Sequence, residues 1–402
     1  MDVEFNKDQQ LFADTLQRYL AQHYSFEHRR GILRSPEGWS RQIWTGLADL
    51  GLLGLEIPEE DGGMGGRPVE ILMTMTAFGR SLLVEPFLAS AILATRLVRD
   101  LGSLEQRRAL LPALASGERI VVPAHGEAGA RYDLNSVATS ATLVDGAYRL
   151  SGKKAVVLHA PAADHLLVSA RTGGVPNDSA DVSLFLVDPR APGVSLIAYP
   201  TLDGARAADV TLRDVRVSVD DRLGPEGGAG PALASAWNVG VAALCAEAVG
   251  ALEATLAATV DYAKTRKQFG VPIGTFQALQ HRMADMLIHV EQARSMSYLA
   301  AIRARAPDPD VCASSVSAAK VVVGRACRRV AQEAVQIHGG MGMTDELAIS
   351  HYFRRLTAIE LSLGDTDHHL ERFVVTSRRR MGSGEETRSP PAPASIRRHP
   401  DL

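Results

Sequence analysis

The sequence predicts an α+β multidomain protein, with an N-terminal α-helical domain, a middle β domain and a C-terminal bundle of long helices. Three observations lead there. At 402 residues the chain is too long for one ordinary core. The spacing of its apolar residues changes twice, from helical to strand-like and back. From Pro231 onward the chain is Ala-rich and almost free of helix breakers.

Residues 1–119 make the first unit. Phe5, Phe12, Leu16, Tyr19 and Leu20, then Ile43, Trp44, Leu47 and Leu50, recur at helical spacing, and the runs SPEG and PEEDGGMGG interrupt it. Residues 120–228 make the second. AYRLSGKKAVV, HLLVSAR, VSLFLVD and ADVTLRDVRV are short runs bounded by Gly, Pro, Asn and Asp, as strands are. Residues 229–382 return to helices at 232–266, 275–305, 310–338 and 345–362, whose apolar stripes imply a four-helix bundle. The tail 383–402 combines Pro, Ser and charge without an aromatic residue and is expected to be disordered.

A formal charge of −3 with interspersed signs leaves no basic face for nucleic acid or an anionic membrane. Cys245, Cys312 and Cys327 form no CxxC pair and sit in Ala/Val-rich helical patterns, so they read as buried thiols of a reducing compartment. The N-terminus carries charges throughout, and no window holds 18 uninterrupted apolar residues. A soluble, cytoplasmic protein is expected.

Three short stretches carry chemistry. In TRKQFG a long helix reaches Lys264, Arg266 and Lys267 and stops at Gly270 before Pro272, presenting a guanidinium fork beside the Phe269 ring. Phosphate binding and simple compensation of the helix dipole both explain those cations. In QIHGGMG, Gly339, Gly340 and Gly342 permit close backbone approach to a ligand, and Gln336 offers a donor and an acceptor; a plain helix stop reads the same way. The stretch AIELSLGDTDHHLERF, residues 358–373, gathers Glu360, Asp365, Asp367, His368 and His369. Adjacent helical side chains diverge by about 100°, so the two histidines cannot face one ion together, and no metal is expected. An acid/base role for Asp365 and an N-cap role for Asp365 or Asp367 both remain open.

These strings, with LGLLGLEIPEEDGGMGG at 50–66, YAKTRKQFGVPIGTFQALQHRMADM at 262–286 and AVQIHGGMGMT at 334–344, stand in the order α, β, α. Over roughly residues 3–380 the chain thereby resembles the acyl-CoA dehydrogenase family, in detail the small subunits of bacterial pimeloyl-CoA-type dehydrogenases. The resemblance implies a middle β-barrel or sandwich and a C-terminal four-helix bundle. It also implies FAD-dependent α,β-dehydrogenation of an acyl-CoA thioester in fatty acid or dicarboxylic acid metabolism, with electrons passed to an electron-transfer flavoprotein. The assembly would be a homodimer or tetramer, or a heteromer with a larger acyl-CoA dehydrogenase subunit.

Residue by residue, the resemblance places Arg266 at the FAD pyrophosphate and Phe269 against the cofactor of a neighbouring subunit. Gln336, Gly339 and Gly340 meet the pyrophosphate and ribityl chain. Of the family's Thr-Glu-Pro-Gly-x-Gly-Ser string, Glu127 and Gly129 survive, whereas Gly126 and Tyr132 replace the Thr and the Ser. Val156 and Leu158 stand where a Trp and a Thr commonly flank the flavin ring, and Leu363 stands where many members carry the catalytic Glu. The position of the alternative base falls near Gly240. Asp365 is therefore the candidate catalytic base, with Glu360 one turn earlier. Because the half of the FAD site that serves a neighbour is better kept, the alternative is a catalytically silent subunit that completes the site of a catalytic paralogue. A family-fold enzyme that reacts flavin with oxygen is a third possibility.

Overall fold

The computed structural model describes residues 6–66, 68–173 and 181–385. The N-terminal part contains α1 (Lys7–His23), α2 (Phe26–Arg34), α3 (Arg41–Asp49), α4 (Pro68–Ser81), a π-helical run Phe87–Ala94 that continues into α5 (Thr95–Leu101), and α6 (Leu104–Ala115). The helix starts are written locally: Asn6 with Gln9 and Ser103 with Gln106 form capping boxes that satisfy free N–H groups. Trp44, Leu47 and Leu53 close its core.

The middle part is one sheet in the order β6-β7-β3-β2-β4-β5-β8, with β1 (Val121–Ala124) parallel to β4 (His165–Arg171). The others are β2 (Ser140–Val144), β3 (Ala147–Leu158), β5 (Val182–Val187), β6 (Val194–Pro200), β7 (Arg206–Ser218) and β8 (Arg222–Leu223). Asp145 and Gly146 turn β2 into β3, both at positive φ, as a two-residue hairpin of matching twist requires. A register shift between Lys154 and Val157 breaks the β3–β7 ladder. There Val156 takes φ +52 and stands 56 % exposed, turned out of the sheet.

The C-terminal part has α7 (Gly230–Thr265), a short hairpin of β9 (Lys267–Gln268) and β10 (Val271–Pro272), α8 (Gln277–Arg303), α9 (Pro309–His338), α10 (Ala348–Leu361) and α11 (Thr366–Glu385). The four-helix expectation gains a fifth helix, α11, which packs on α9 beside α7, α8 and α10. Its sequence carries too few apolar residues to announce a core-facing stripe. It also runs three residues into the segment expected to be disordered; residues 386–402 lie outside the described residues. Helices α4 and α7 cross at backbone contact, since a Cβ on Gly79 or Gly250 would collide with the main chain of Glu247 or Thr76. Among the described residues only α7 is long and apolar enough to cross a membrane, and that stretch is 83 % buried inside the fold.

Candidate active site

A cavity of about 1670 Å³ opens where the three parts meet. The π-helical run and its approach supply an apolar wall, including Phe78, Phe87, Leu88 and Leu93; the β1–β2 loop supplies Gly126 and β3 supplies Val156 and Leu158; α7 supplies Trp237, and the turn between α10 and α11 supplies Leu363 and Asp365. The positions that depart from the family string, Gly126, Tyr132, Val156, Leu158 and Leu363, thus share one wall-to-wall space.

The turn between α10 and α11 is the most constrained element there. Leu363 takes φ +55 and Gly364 φ +114. The buried Lys320 ammonium donates to the carbonyls of Ile359, Glu360, Ser362 and Gly364 at 2.7–3.0 Å, and His369 Nε2 meets the Leu363 carbonyl at 3.1 Å. Burial holds the His369 imidazole down to about 3, assisted by Lys320, so it is neutral and can donate from that nitrogen. Opposite, a Cβ placed on Gly240 would lie 2.6 Å from Leu93 Cδ2 and 2.9 Å from Leu363 Cδ1. The two positions at which the resemblance places a base therefore face each other, and neither carries a carboxylate.

Asp365 lines the cavity, with its side chain 20 % exposed. Its Oδ1 accepts from the His368 N–H at 2.8 Å, so it is the N-cap of α11, and Oδ2 lies 3.9 Å from Arg131. The Tyr132 ring stands 5.2 Å from that of His368, joining the β1–β2 loop to α11 across the cavity. Glu360 is turned away: it accepts from Thr366 Oγ1 at 2.9 Å and from Arg328 at 3.2 Å, with its side chain only 6 % exposed. His369 Nδ1 lies 3.1 Å from Ser317 Oγ, and His368 lines the cavity; the two rings stand at 85° to each other.

Glu127 also borders the cavity, but its carboxylate is already engaged by Lys154 Nζ at 2.6 Å, Thr139 Oγ1 at 2.7 Å and the N–H groups of Ala138 and Thr139. Burial works to raise its pKa, yet Lys154 and the hydrogen bonds bring it below the ordinary value. Glu127 holds the cavity loop in place, its carboxylate oxygens taken up within the chain.

The remaining sequence candidates lie elsewhere. Arg266 caps the C-terminus of α7; Phe269, at φ +52, is 92 % exposed; Gln336, Gly339 and Gly340 are exposed at the end of α9. None of the five lines the cavity. The Tyr262 and His338 rings stack at 4.3 Å and set the two helix ends side by side, forming one outward patch. A Cβ on Gly339 or Gly340 would meet nothing within 4 Å, so that backbone is open to an incoming group.

Consecutive parts of the chain match the N-terminal, middle and C-terminal domain models of acyl-CoA dehydrogenases at residues 6–118, 124–215 and 228–374. This chain belongs to the acyl-CoA dehydrogenase family. A relative, acyl-CoA dehydrogenase FadE27 of Mycobacterium tuberculosis, is 31 % identical over 86 % of this chain and 91 % of its own length. Among solved structures, a variant of the Tcur3481–Tcur3483 steroid ACAD matches with a TM-score of 0.83 and 30 % identity, covering 94 % of this chain and 99 % of that one. The ChsE4–ChsE5 complex from M. tuberculosis matches with a TM-score of 0.82 and 27 % identity, covering 97 % and 100 %.

Sequence reasoning missed several residues that line the cavity or brace its walls. Lys320 looks like any lysine on a helix, and only its four carbonyl partners reveal it. The buried cluster in which Arg355 pairs with Glu247 and Asp203, each at 2.6 Å, joins residues more than 100 positions apart. Arg372, Asn238 and Trp237 also line the cavity with no local signal.

Proposed function

We propose that this chain is a subunit of a heteromeric acyl-CoA dehydrogenase, completing the FAD site of a base-bearing partner chain while contributing no base at the family's two positions. The assembly would carry out FAD-dependent α,β-dehydrogenation of an acyl-CoA thioester and pass electrons to an electron-transfer flavoprotein. The observation that carries this reading is the contact of Leu363 with Gly240. Removing a thioester α-proton requires a positioned base, and here the two expected positions hold a hydrocarbon side chain and a hydrogen atom, packed together.

The outward patch supports the second half of the proposal. An exposed guanidinium at Arg266, the amide of Gln336 and the open backbone at Gly339 and Gly340 suit an oxyanion-rich group brought by a neighbour. FAD, when bound, supplies the two-electron acceptor. Within this chain, Arg266 would pair with phosphate oxygens, Phe269 would cover apolar cofactor surface, and the main chain beside Glu127 would border the chain's own cavity. The name of the ChsE4–ChsE5 complex favours a heteromer, and the resemblance to small subunits of pimeloyl-CoA-type dehydrogenases favours a larger partner.

One observation favours a self-sufficient enzyme: Asp365 lines the cavity two residues after Leu363. Purified alone and under anaerobic conditions, the chain distinguishes the readings. A colourless chain that yields a yellow complex only when co-expressed with a base-bearing family member supports the partner role. A yellow chain bleached by an acyl-CoA on its own overturns it.

A further inference from the structure

We infer that the wall of the cavity between α7 and α11 is a binding site for an anionic group of an acyl-CoA, a carboxylate or a phosphate, anchored by Arg372. This goes beyond completing a partner's site, because it assigns a ligand to this chain's own base-less cavity; it rests on the family reading for the kind of ligand.

Three other cations that line or border the cavity have their partners in place. Lys154 meets Glu127 at 2.6 Å, Arg355 meets Glu247 and Asp203 at 2.6 Å each, and Arg29 is held by His351 Nδ1 at 2.9 Å and the Leu82 carbonyl at 2.7 Å. Arg372 differs. Its side-chain partner is the neutral Asn238 Oδ1, at 2.7 Å, and among the described residues no carboxylate comes within 4.0 Å of it. Asp310 and Glu371 line the same cavity, and neither pairs with it.

A guanidinium carried partly out of water without an anion costs free energy that an amide alone does not return. Burial accordingly pulls the Arg372 pKa below its ordinary value. One N–H goes to Asn238; the remaining donors of the planar fork are free to take two oxygens of one oxyanion. Asn238 is 6 % exposed and fixes the fork against the cavity wall. Two turns along α11, Arg379 also lines the cavity and adds positive potential.

Trp237 borders the same cavity, so its fluorescence can report binding to the full-length chain. The probes are pantetheine, CoA, butyryl-CoA and glutaryl-CoA, titrated into the parental chain and into Arg372→Gln and Arg372→Lys. If the anion is a phosphate, Arg372→Gln weakens CoA and both thioesters by about 10- to 100-fold and leaves pantetheine unchanged. If it is an acyl carboxylate, only glutaryl-CoA loses that factor. Arg372→Lys recovers part of the loss in either case, since it keeps the charge without the fork. Gln can still donate to Asn238, so a melting temperature close to the parental one is expected to accompany the loss. Equal affinities in parent and Arg372→Gln for all four probes overturn the inference and leave the partner-completing role intact. Absence of binding of any probe to the parental chain also overturns it.

Discussion

The Lys320 ammonium donates to the Gly364 carbonyl at 2.7 Å, and through three further carbonyls it fixes the turn on which Leu363 stands. In a trans peptide the C=O and N–H point in opposite directions. With the Ser362 oxygen drawn to Lys320, the Leu363 N–H is directed away from it. Lys320→Met leaves four carbonyls without their buried donor, at about 1–3 kcal/mol for each that stays unsatisfied. A loss of at least about 3 kcal/mol in urea unfolding is expected. A loss under about 1 kcal/mol would show that water takes over the lysine's role.

Asp365 caps α11, and the cap makes a separable prediction. Asp365→Ala should cost about 1 kcal/mol and Asp365→Ser much less, because a hydroxyl can accept the same His368 N–H. In the assembled, flavin-loaded complex both variants should reduce flavin at the parental rate. A slowing of roughly 10²-fold or more in Asp365→Ser and Asp365→Asn alike would instead make this carboxylate the base.

Arg266 is exposed at the end of α7, so its replacement should spare the chain's own stability. Arg266→Ala is expected to lower FAD content in the complex with a base-bearing partner, through loss of a charge-assisted contact of about 1.5–3 kcal/mol. Arg213→Ala, also at an exposed position, is the control. Equal FAD content after gel filtration would remove Arg266 from the cofactor site.

Arg355 joins Glu247 of α7 and Asp203 of the β6–β7 loop, so one guanidinium ties the helical bundle to the sheet. Burial works to raise the Asp203 pKa, and Arg355 and Thr201 bring it below its ordinary value. Arg355→Met strands two buried carboxylates and should cost about 3–5 kcal/mol. Replacing Arg355, Glu247 and Asp203 together by apolar residues should cost less than the single change. A triple variant weaker than the single one would argue that the charges themselves, rather than their pairing, are needed.

Two buried titrations of opposite sign should shape stability between about pH 4 and 7. Burial pulls His125 and His369 down to about 3 and His159 to about 4 from 6.5, so these neutral imidazoles contribute stability above pH 6.5 that is lost as the pH falls towards 4. Glu85 has the opposite sign. Burial raises it from 4.5 to about 7, and its Oε2 has no hydrogen-bond partner, so stability present below pH 4.5 is lost as the pH rises through 7. Glu85→Gln should therefore gain on the parent between pH 4.5 and 7, up to roughly 3 kcal/mol, and hold that gain at pH 8. Urea midpoints at pH 5 and pH 8 check it; an equal difference at both would place the carboxyl's titration elsewhere.

The sequence by itself determined the order α, β, α, because hydrophobic spacing and turn residues act locally and survive without the fold. It also determined that Leu363 and Gly240 carry no base, since the identity of a side chain needs no coordinates. Only the tertiary structure decided that these two positions touch, that Glu127 is already engaged by Lys154, and that Arg266, Phe269, Gln336, Gly339 and Gly340 face away from the chain's own cavity. Arg372 shows the limit most plainly: in sequence it is one arginine among several on a helix. Whether a charge is paired depends on residues such as Asn238, 134 positions away in the chain, that packing alone brings to its side.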